Sequence, residues 1–202
     1  MKKLFTIIFA AAMLASCADG EQRSILPEGC ELRAGDVVFR RGSGLTSRAV
    51  LAADRHGAYS HIGIVVDSCG VMMVVHAVPG EPDYEGDPDR VKMDTPRRFF
   101  SSMNATIGEV KRLRGDSATA ALAARYAMEV YKRGTLFDHD YDDADTTKMY
   151  CCELVDFAYR KAGRPLAGRK RHYFHLPGLE PIRCILPSDI CNNAALKTIV
   201  TF

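Results

Sequence analysis

The sequence predicts an α+β domain in which a small antiparallel sheet packs on helices. Three observations carry this. Two β-rich runs, Tyr59 to Val66 and Val71 to Ala77, flank Asp67-Ser68-Cys69-Gly70, and a turn ending in glycine between such runs makes a hairpin. From Tyr150 to Gly163 the apolar residues Cys151, Leu154, Val155, Ala158 and Tyr159 fall on one helical face; Gly163 stops the helix after the basic Arg160 and Lys161. Asp116-Ser117 caps another helix running to Lys132, with Leu122, Ala123, Tyr126, Ala127 and Val130 on one face and Gly134 as its stop.

A chain of 202 residues suits one domain, and its 47% apolar content supplies a core. The net charge of +2 is too small to imply nucleic acid or a strongly acidic partner. The N-terminus reads as targeting: Met1-Lys2-Lys3 is a positive n-region, and Leu4 to Leu14 is an apolar h-region of signal-peptide length. Leu14-Ala15-Ser16-Cys17 resembles the bacterial lipobox, in which cleavage leaves a lipidated cysteine. The alternative is an ordinary secretory peptide cut near Ala15 or Ala18. The lipobox match sits where cleavage belongs, so residues 1–16 are read as a lipoprotein signal peptide. Cys17 is read as the lipid attachment site and 17–31 as lipidated N-terminus and tether, with the domain at 32–202. The protein is then held in the bacterial envelope by acyl chains. No aspartate follows Cys17 as an inner-membrane signal, which favours the outer membrane.

Within the domain, Gly35-Asp36 is a turn signal and Val37-Val38-Phe39 a short buried strand. Arg40 to Gly44 is a loop whose Gly-x-Gly lacks the third glycine of a dinucleotide site, and Leu45 to Ala53 can form a short helix. Glu81 to Asp89 reads as an exposed acidic loop with the capacity to rim a site. Val91 to Met103 reads as a connection anchored by Phe99 and Phe100, and Ile107 to Leu113 as a third strand. The acidic run Asp138 to Asp145 fails as an EF-hand: position six is Asp143 rather than glycine and position twelve is Met149 rather than glutamate. His172, His175, Cys184 and Cys191 match no common zinc spacing, so no metal is expected. Cys184 and Cys191 are an available short-loop disulfide, although connectivity is not readable from spacing.

Candidate chemistry lies elsewhere. A thiol at a helix N-terminus meets the positive end of the dipole and free backbone N–H groups, which favour the nucleophilic thiolate. Cys151 and Cys152 open such a helix; the competing reading is that both are small core residues. His61 opens one hairpin strand and His76 closes the other, so an antiparallel hairpin sets them side by side as a base and its orienting partner.

Taken in order, Gly35-Asp36-Val37-Val38-Phe39, Tyr59-Ser60-His61-Ile62-Gly63-Ile64-Val65 and Tyr150-Cys151-Cys152-Glu153-Leu154-Val155 resemble the circularly permuted papain-like hydrolases, in particular the YiiX/YaeF-like branch of the NlpC superfamily. The resemblance spans about Leu32 to Pro187. It implies a permuted papain-like fold, Cys151 as nucleophile, His61 as base, His76 as third polar residue and no cofactor. Two departures stand out. Cys152 replaces the usual serine, and Phe137 stands where many relatives carry a tyrosine that serves the oxyanion, with Tyr59 or Tyr141 as replacements. The implied activity is cysteine-dependent cleavage of an amide, as in cell-wall peptide. The same scaffold also resembles acyltransferases acting on lipids; Phe99, Phe100, Met72 and Met73 are candidates for an apolar trough, with core packing as their alternative role. A third reading is a non-catalytic envelope module that binds peptide or lipid. No feature of the sequence sets the oligomeric state.

Overall fold

The computed structural model describes residues 23–142, 145–169, 171–174 and 182–202. The signal segment, Cys17, Asp143, His175 and Pro177-Gly178 lie outside the described residues. Among those described, no helix is long and apolar enough to cross a membrane.

The chain runs β1 (Val37–Arg41), α1 (Leu45–Ala53), β2 (His61–Ser68), β3 (Val71–Val78), β4 (Arg90–Asp94), α2 (Pro96–Phe99), β5 (Ile107–Leu113), α3 (Ser117–Lys132), β6 (Leu136–Phe137), β7 (Lys148–Met149), α4 (Cys151–Lys161), β8 (His172–Phe174), β9 (Ile182–Cys184), α5 (Pro187–Cys191) and β10 (Leu196–Thr201). The sheet is not small. Eight strands lie in the order β10-β5-β1-β2-β3-β4-β6-β7, all antiparallel neighbours except the parallel β6–β7 pair, and β8–β9 form a separate ribbon. The stretch expected to be a connection after Val91 is instead strand β4, whose alternation is hidden by charged residues that the fold buries: Lys92 and Asp94 are both inside.

Both faces of the sheet are covered. Val37, Phe39, Ile62, Ile64 and Val75 face α3 and α4 through Ala123, Ala127, Leu154, Val155 and Ala158. Val38, Val65, Val74 and Val110 face the other way onto Phe99 and Phe100. Ile25, Leu26 and Cys30, in the stretch expected to be tether, pack against this second core, and the Ile25 N–H donates to the Phe100 carbonyl. The strands therefore carry long apolar runs, as two-sided burial requires. Met72 and Met73 pack partly buried against the two cores, so these residues and the two phenylalanines form core, not trough.

Local chemistry fixes how β1 meets the helices. Gly35 has φ +90° and lies against the Ala120 backbone of α3, where a side chain has no room. Its carbonyl accepts from the Tyr159 hydroxyl of α4. Asp36, buried, takes both Arg112 nitrogens at 2.7 and 2.8 Å. Helix α4 ends in a Schellman motif: the Arg164 N–H bonds the Tyr159 carbonyl and the Gly163 N–H that of Arg160, with Gly163 at φ +85°. Asp156 then holds the following loop by accepting from the Leu166 and Ala167 N–H groups.

Candidate active site

The register brings three strand residues onto the face away from α3. His61 at the start of β2 stands opposite Arg40 of β1, and His76 of β3 stands opposite Lys92 of β4, two residues before Asp94. Period-two alternation puts His76, Lys92 and Asp94 on that face together. The result is a continuous polar line. His61 Nε2 lies 2.9 Å from His76 Nδ1, and His76 Nε2 lies 3.1 Å from Asp94 Oδ2. The hairpin thus brings the two histidines together as its strand ends imply. Asp94 was not foreseen; a carboxylate two residues before helix α2 gave no signal while Val91 to Met103 read as a connection.

Hydrogen-bond logic assigns the tautomers. A carboxylate only accepts, so His76 carries its proton on Nε2 and presents a lone pair at Nδ1. His61 must then donate from Nε2, which leaves Nδ1 as the lone pair available to Cys151. The line Asp94–His76–His61 is directional, and it ends in a base.

Gly63 explains the spacing of the His-x-Gly motif. A Cβ there would stand 2.7 Å from Val74 Cγ1, 3.1 Å from the Val75 carbonyl oxygen and 3.2 Å from His76 Cβ. Only glycine leaves the space across which His76 reaches His61. Gly63→Ala is expected to cost ~1–3 kcal/mol of stability by overpacking, read as a lower urea midpoint, with loss of whatever activity the His61–His76 contact supports.

Cys151 sits at the first residue of α4 after Tyr150, whose buried hydroxyl accepts from the Ile185 N–H at 2.9 Å. The β2–β3 register runs from Ser68↔Val71 to Ile64↔Val75. Beyond that pair Ile62 still turns its N–H toward the β3 side, where it helps to lower the Cys151 thiol. The structure separates the two adjacent thiols. Cys151 is partly accessible and interacts with His61, whereas Cys152 is buried in the α4 core. Their sulfurs are 3.9 Å apart. The Cys152 S–H, then His61 and the Ile62 N–H, hold the Cys151 thiol well below the ordinary thiol range against the opposing effect of burial. Burial and the neighbouring Cys151 push Cys152 well above it. One thiol is the nucleophilic candidate and the other its hydrogen-bond donor.

Burial, then the Arg40 charge, push His61 down to about 4, opposed by Cys151. His76 is lowered too, by burial first, although Asp94 pulls it up. Burial raises Asp94, but the hydrogen bond from His76 and the charges of His76, Lys92 and Arg98 outweigh it, so the carboxylate stays ionised below its usual range. These shifts have a stability consequence. Below about 6.5 the unfolded chain protonates His61 while the folded chain does not, so stability should fall as pH drops from about 6.5 toward 4 and should be insensitive to this group above 6.5. Urea midpoints measured from pH 4 to 8 check the sign.

A cleft of about 360 Å³ opens beside His61, lined by Arg40, the 42–44 loop, the first turn of α1, Ser60, Glu81 and Asn104. Glu81, expected on an exposed loop, bonds buried Arg40 and accepts from Asn104 Nδ2 at 3.3 Å. The loop is stapled by Lys92 to Asp83 at 2.7 Å and Arg90 to Asp87 at 2.7 Å. Of the two tyrosines considered for the oxyanion, Tyr59 is turned to Glu109. Tyr141 lies near Cys151, its ring 5.4 Å from that of Tyr150, at a left-handed φ of 56°. Asp138 sets that turn by accepting from the Asp140 and Asp142 N–H groups. Burial first, then the nearby Cys151, push the Tyr141 hydroxyl up to about 12, so it remains a donor. Cys184 and Cys191 are not joined by a disulfide: Cys184 is buried at the end of β9, and Cys191 is bonded to Glu109.

No protein-family model matches the chain, and no curated protein matches it by sequence. Its fold is similar to that of a crystal structure described as metalloprotein YiiX, DUF1105, from Escherichia coli O157:H7. The TM-score is 0.66 and the identity 19%, over 86% of this chain and 99% of that one. The likeness establishes a YiiX-like fold.

Proposed function

We propose that this protein is a cysteine-dependent hydrolase that cleaves an amide bond, with cell-wall peptide as the substrate class. One observation carries the reading: a hydrogen-bonded line from Asp94 through His76 to His61, which interacts with a thiol at a helix N-terminus and borders an open cleft. Such a line has no use in a module that only binds, because burying two histidines and an aspartate costs free energy.

Cys151 Sγ attacks the carbonyl carbon, and the proton it shares with His61 rests on Nδ1. The carbonyl oxygen gains the negative charge and meets the N–H groups at the start of α4, each such donor being worth ~3 kcal/mol. The Tyr141 hydroxyl is placed to add a donor. As the C–N bond breaks, His61 gives its proton to the departing amine. Water, deprotonated by His61, then attacks the thioester and releases the acid, and the sulfur recovers its proton share. His76 and Asp94 keep the proton of His61 Nε2 in place throughout, so that Nδ1 is the atom that takes up and returns the reacting proton.

The YiiX structure is described as a metalloprotein. Among the described residues here, no group of three His, Cys, Asp or Glu is spaced to hold an ion. The nitrogens of His76 and the Nε2 of His61 are already spent on hydrogen bonds. A metal centre does not fit these residues, and no step is routed through one.

Cleft chemistry favours a peptide over an acyl chain: Ser43, Thr46, Ser47, Ser60, Glu81 and Asn104 offer hydroxyl, carboxylate and amide groups. A lipid N-acyl or ester substrate is the second reading, favoured by Leu45 and Met103, which line the same cleft and are 83% and 70% exposed. Lipidation at Cys17, with anchoring in the envelope, completes the proposal and places either substrate within reach. The test is mass spectrometry after incubation with muropeptides and, separately, N-acyl lipids, with Cys151→Ala as control. An amide cut in the muropeptide pool that the variant does not make is the expected result. Fatty-acid release or an acyl-Cys151 adduct moves the function to lipids. No turnover in either pool, with an unreactive Cys151, leaves a binding module.

A further inference from the structure

Arg40 is an unusual residue to find inside. It is 3% exposed, on a central strand, directly across from His61 in the β1–β2 register. Cross-strand partners stand about 5 Å apart at Cβ. Its guanidinium lies 4.7 Å above the Phe99 ring and donates from Nη1 to the Phe99 carbonyl at 2.8 Å, while Nη2 takes Glu81. The Phe99 ring also meets the two imidazoles, at 5.6 Å to His61 and 5.1 Å to His76, and Phe100 at 4.8 Å. Phe99 thus holds a cation and both histidines around one ring.

We propose that Arg40 is a positioning residue whose buried charge sets the proton balance of the Cys151–His61 pair, with Glu81 as the counter-charge that moderates it from the substrate cleft. The inference rests on the Cys151–His61 reading above and names how that site is regulated electrostatically. A fixed positive charge beside two coupled groups lowers both of their macroscopic titration steps, so thiolate forms at lower pH. The other titratable groups on the elements around the pair are His76 on β3, Lys92 and Asp94 on β4, Arg98 on α2, Asp138 and Tyr141 between β6 and β7, Cys152 on α4, and Cys184 on β9. Lys92 and Arg98 are each tied to Asp83 and lie near Asp94. Arg40 is ion-paired with Glu81, which is about a fifth exposed and lines the cleft. Ligand groups that engage Glu81 therefore change the field at the thiol. Arg40 in turn is lowered by its burial and raised by Glu81, Asp94 and Cys151.

The experiment is the pH profile of iodoacetamide alkylation at Cys151, followed by peptide mass spectrometry in the full chain, for wild type, Arg40→Met, Arg40→Lys and Glu81→Gln. Arg40→Met is expected to move the alkylation limb up by about one pH unit or more. Arg40→Lys, which keeps the charge, should stay near wild type, and Glu81→Gln should move the limb down. A purely structural role for Arg40 gives no reason for opposite shifts. An unchanged limb in folded Arg40→Met, or shifts of the same sign in Arg40→Met and Glu81→Gln, overturns the proposal. If Arg40→Met does not fold, Glu81→Gln and Arg40→Lys decide alone, and a limb in Glu81→Gln that is unchanged or raised overturns it. Alkylation needs thiolate but no substrate. Opposite shifts without turnover on any amide would sink the hydrolase reading and leave this one standing.

Discussion

Replacing Cys151 by alanine is expected to abolish amide cleavage, a loss of about 10⁴-fold or more in kcat, with the fold intact. Removing a covalent nucleophile leaves only what the oxyanion donors and binding supply. The informative comparison is the neighbouring thiol. Cys152 is buried in the α4 core and its sulfur stands 3.9 Å from that of Cys151. Cys152→Ala should therefore retain activity within about tenfold, because the reacting sulfur remains. Its alkylation limb should rise, since the S–H that helps hold Cys151 as thiolate is gone. Paired kinetics and alkylation of the two variants test this. Turnover that survives in Cys151→Ala but not in Cys152→Ala would reverse the assignment and break the link to His61.

The second large effect is expected from Asp94→Asn. The amide is nearly isosteric with the carboxylate, so packing against His76 can be kept, but its NH₂ can donate where the carboxylate only accepted. Donation to His76 Nε2 forces the proton to Nδ1, which then donates to His61 Nε2. His61 is left with its proton on Nδ1, facing the sulfur as a donor instead of a base. A change of one atom at Asp94 thus reverses both imidazoles. A fall of about 10²–10⁴-fold in kcat/KM is expected, with KM little changed, because the loss is in proton transfer rather than binding. Nitrogen-15 NMR of labelled histidines should show the tautomer switch. Activity near wild type with the tautomers unchanged would mean that His76 is held by its packing against Phe99 alone and that Asp94 is not part of the line.

The helices and the hairpin were legible because their signals are local. Helix α4 begins and ends within a residue or two of the 150–163 pattern, and α1 spans the predicted Leu45 to Ala53. Asp116 does cap α3, accepting from the Thr119 N–H at 2.9 Å. The pairing of His61 with His76 was legible for the same reason: a tight hairpin makes the geometry of its strand ends a property of a short stretch. Strand β4 was not legible. Its Lys92 and Asp94 look like solvent residues until the 81–89 loop and His76 supply their partners, and those partners lie well away along the chain. The strands at the two ends of the sheet, β10 and the β6–β7 pair, carry two to six residues each and take their form from neighbours to which they hydrogen-bond.

For the site, the sequence by itself determined the candidate nucleophile, the base and its partner, since a thiol at a helix start and two histidines at hairpin ends are marked by residue type and spacing. It left the choice between two adjacent thiols to motif position. Tertiary structure decided that choice physically, by turning Cys151 to His61 and the Ile62 N–H while sealing Cys152 among apolar side chains. It alone brought in Asp94, and it set where Arg40, Glu81 and Tyr141 stand relative to the pair. Each of these acts through proximity between segments distant in sequence, and electrostatics in a buried site depends on distance and burial, which sequence spacing does not encode.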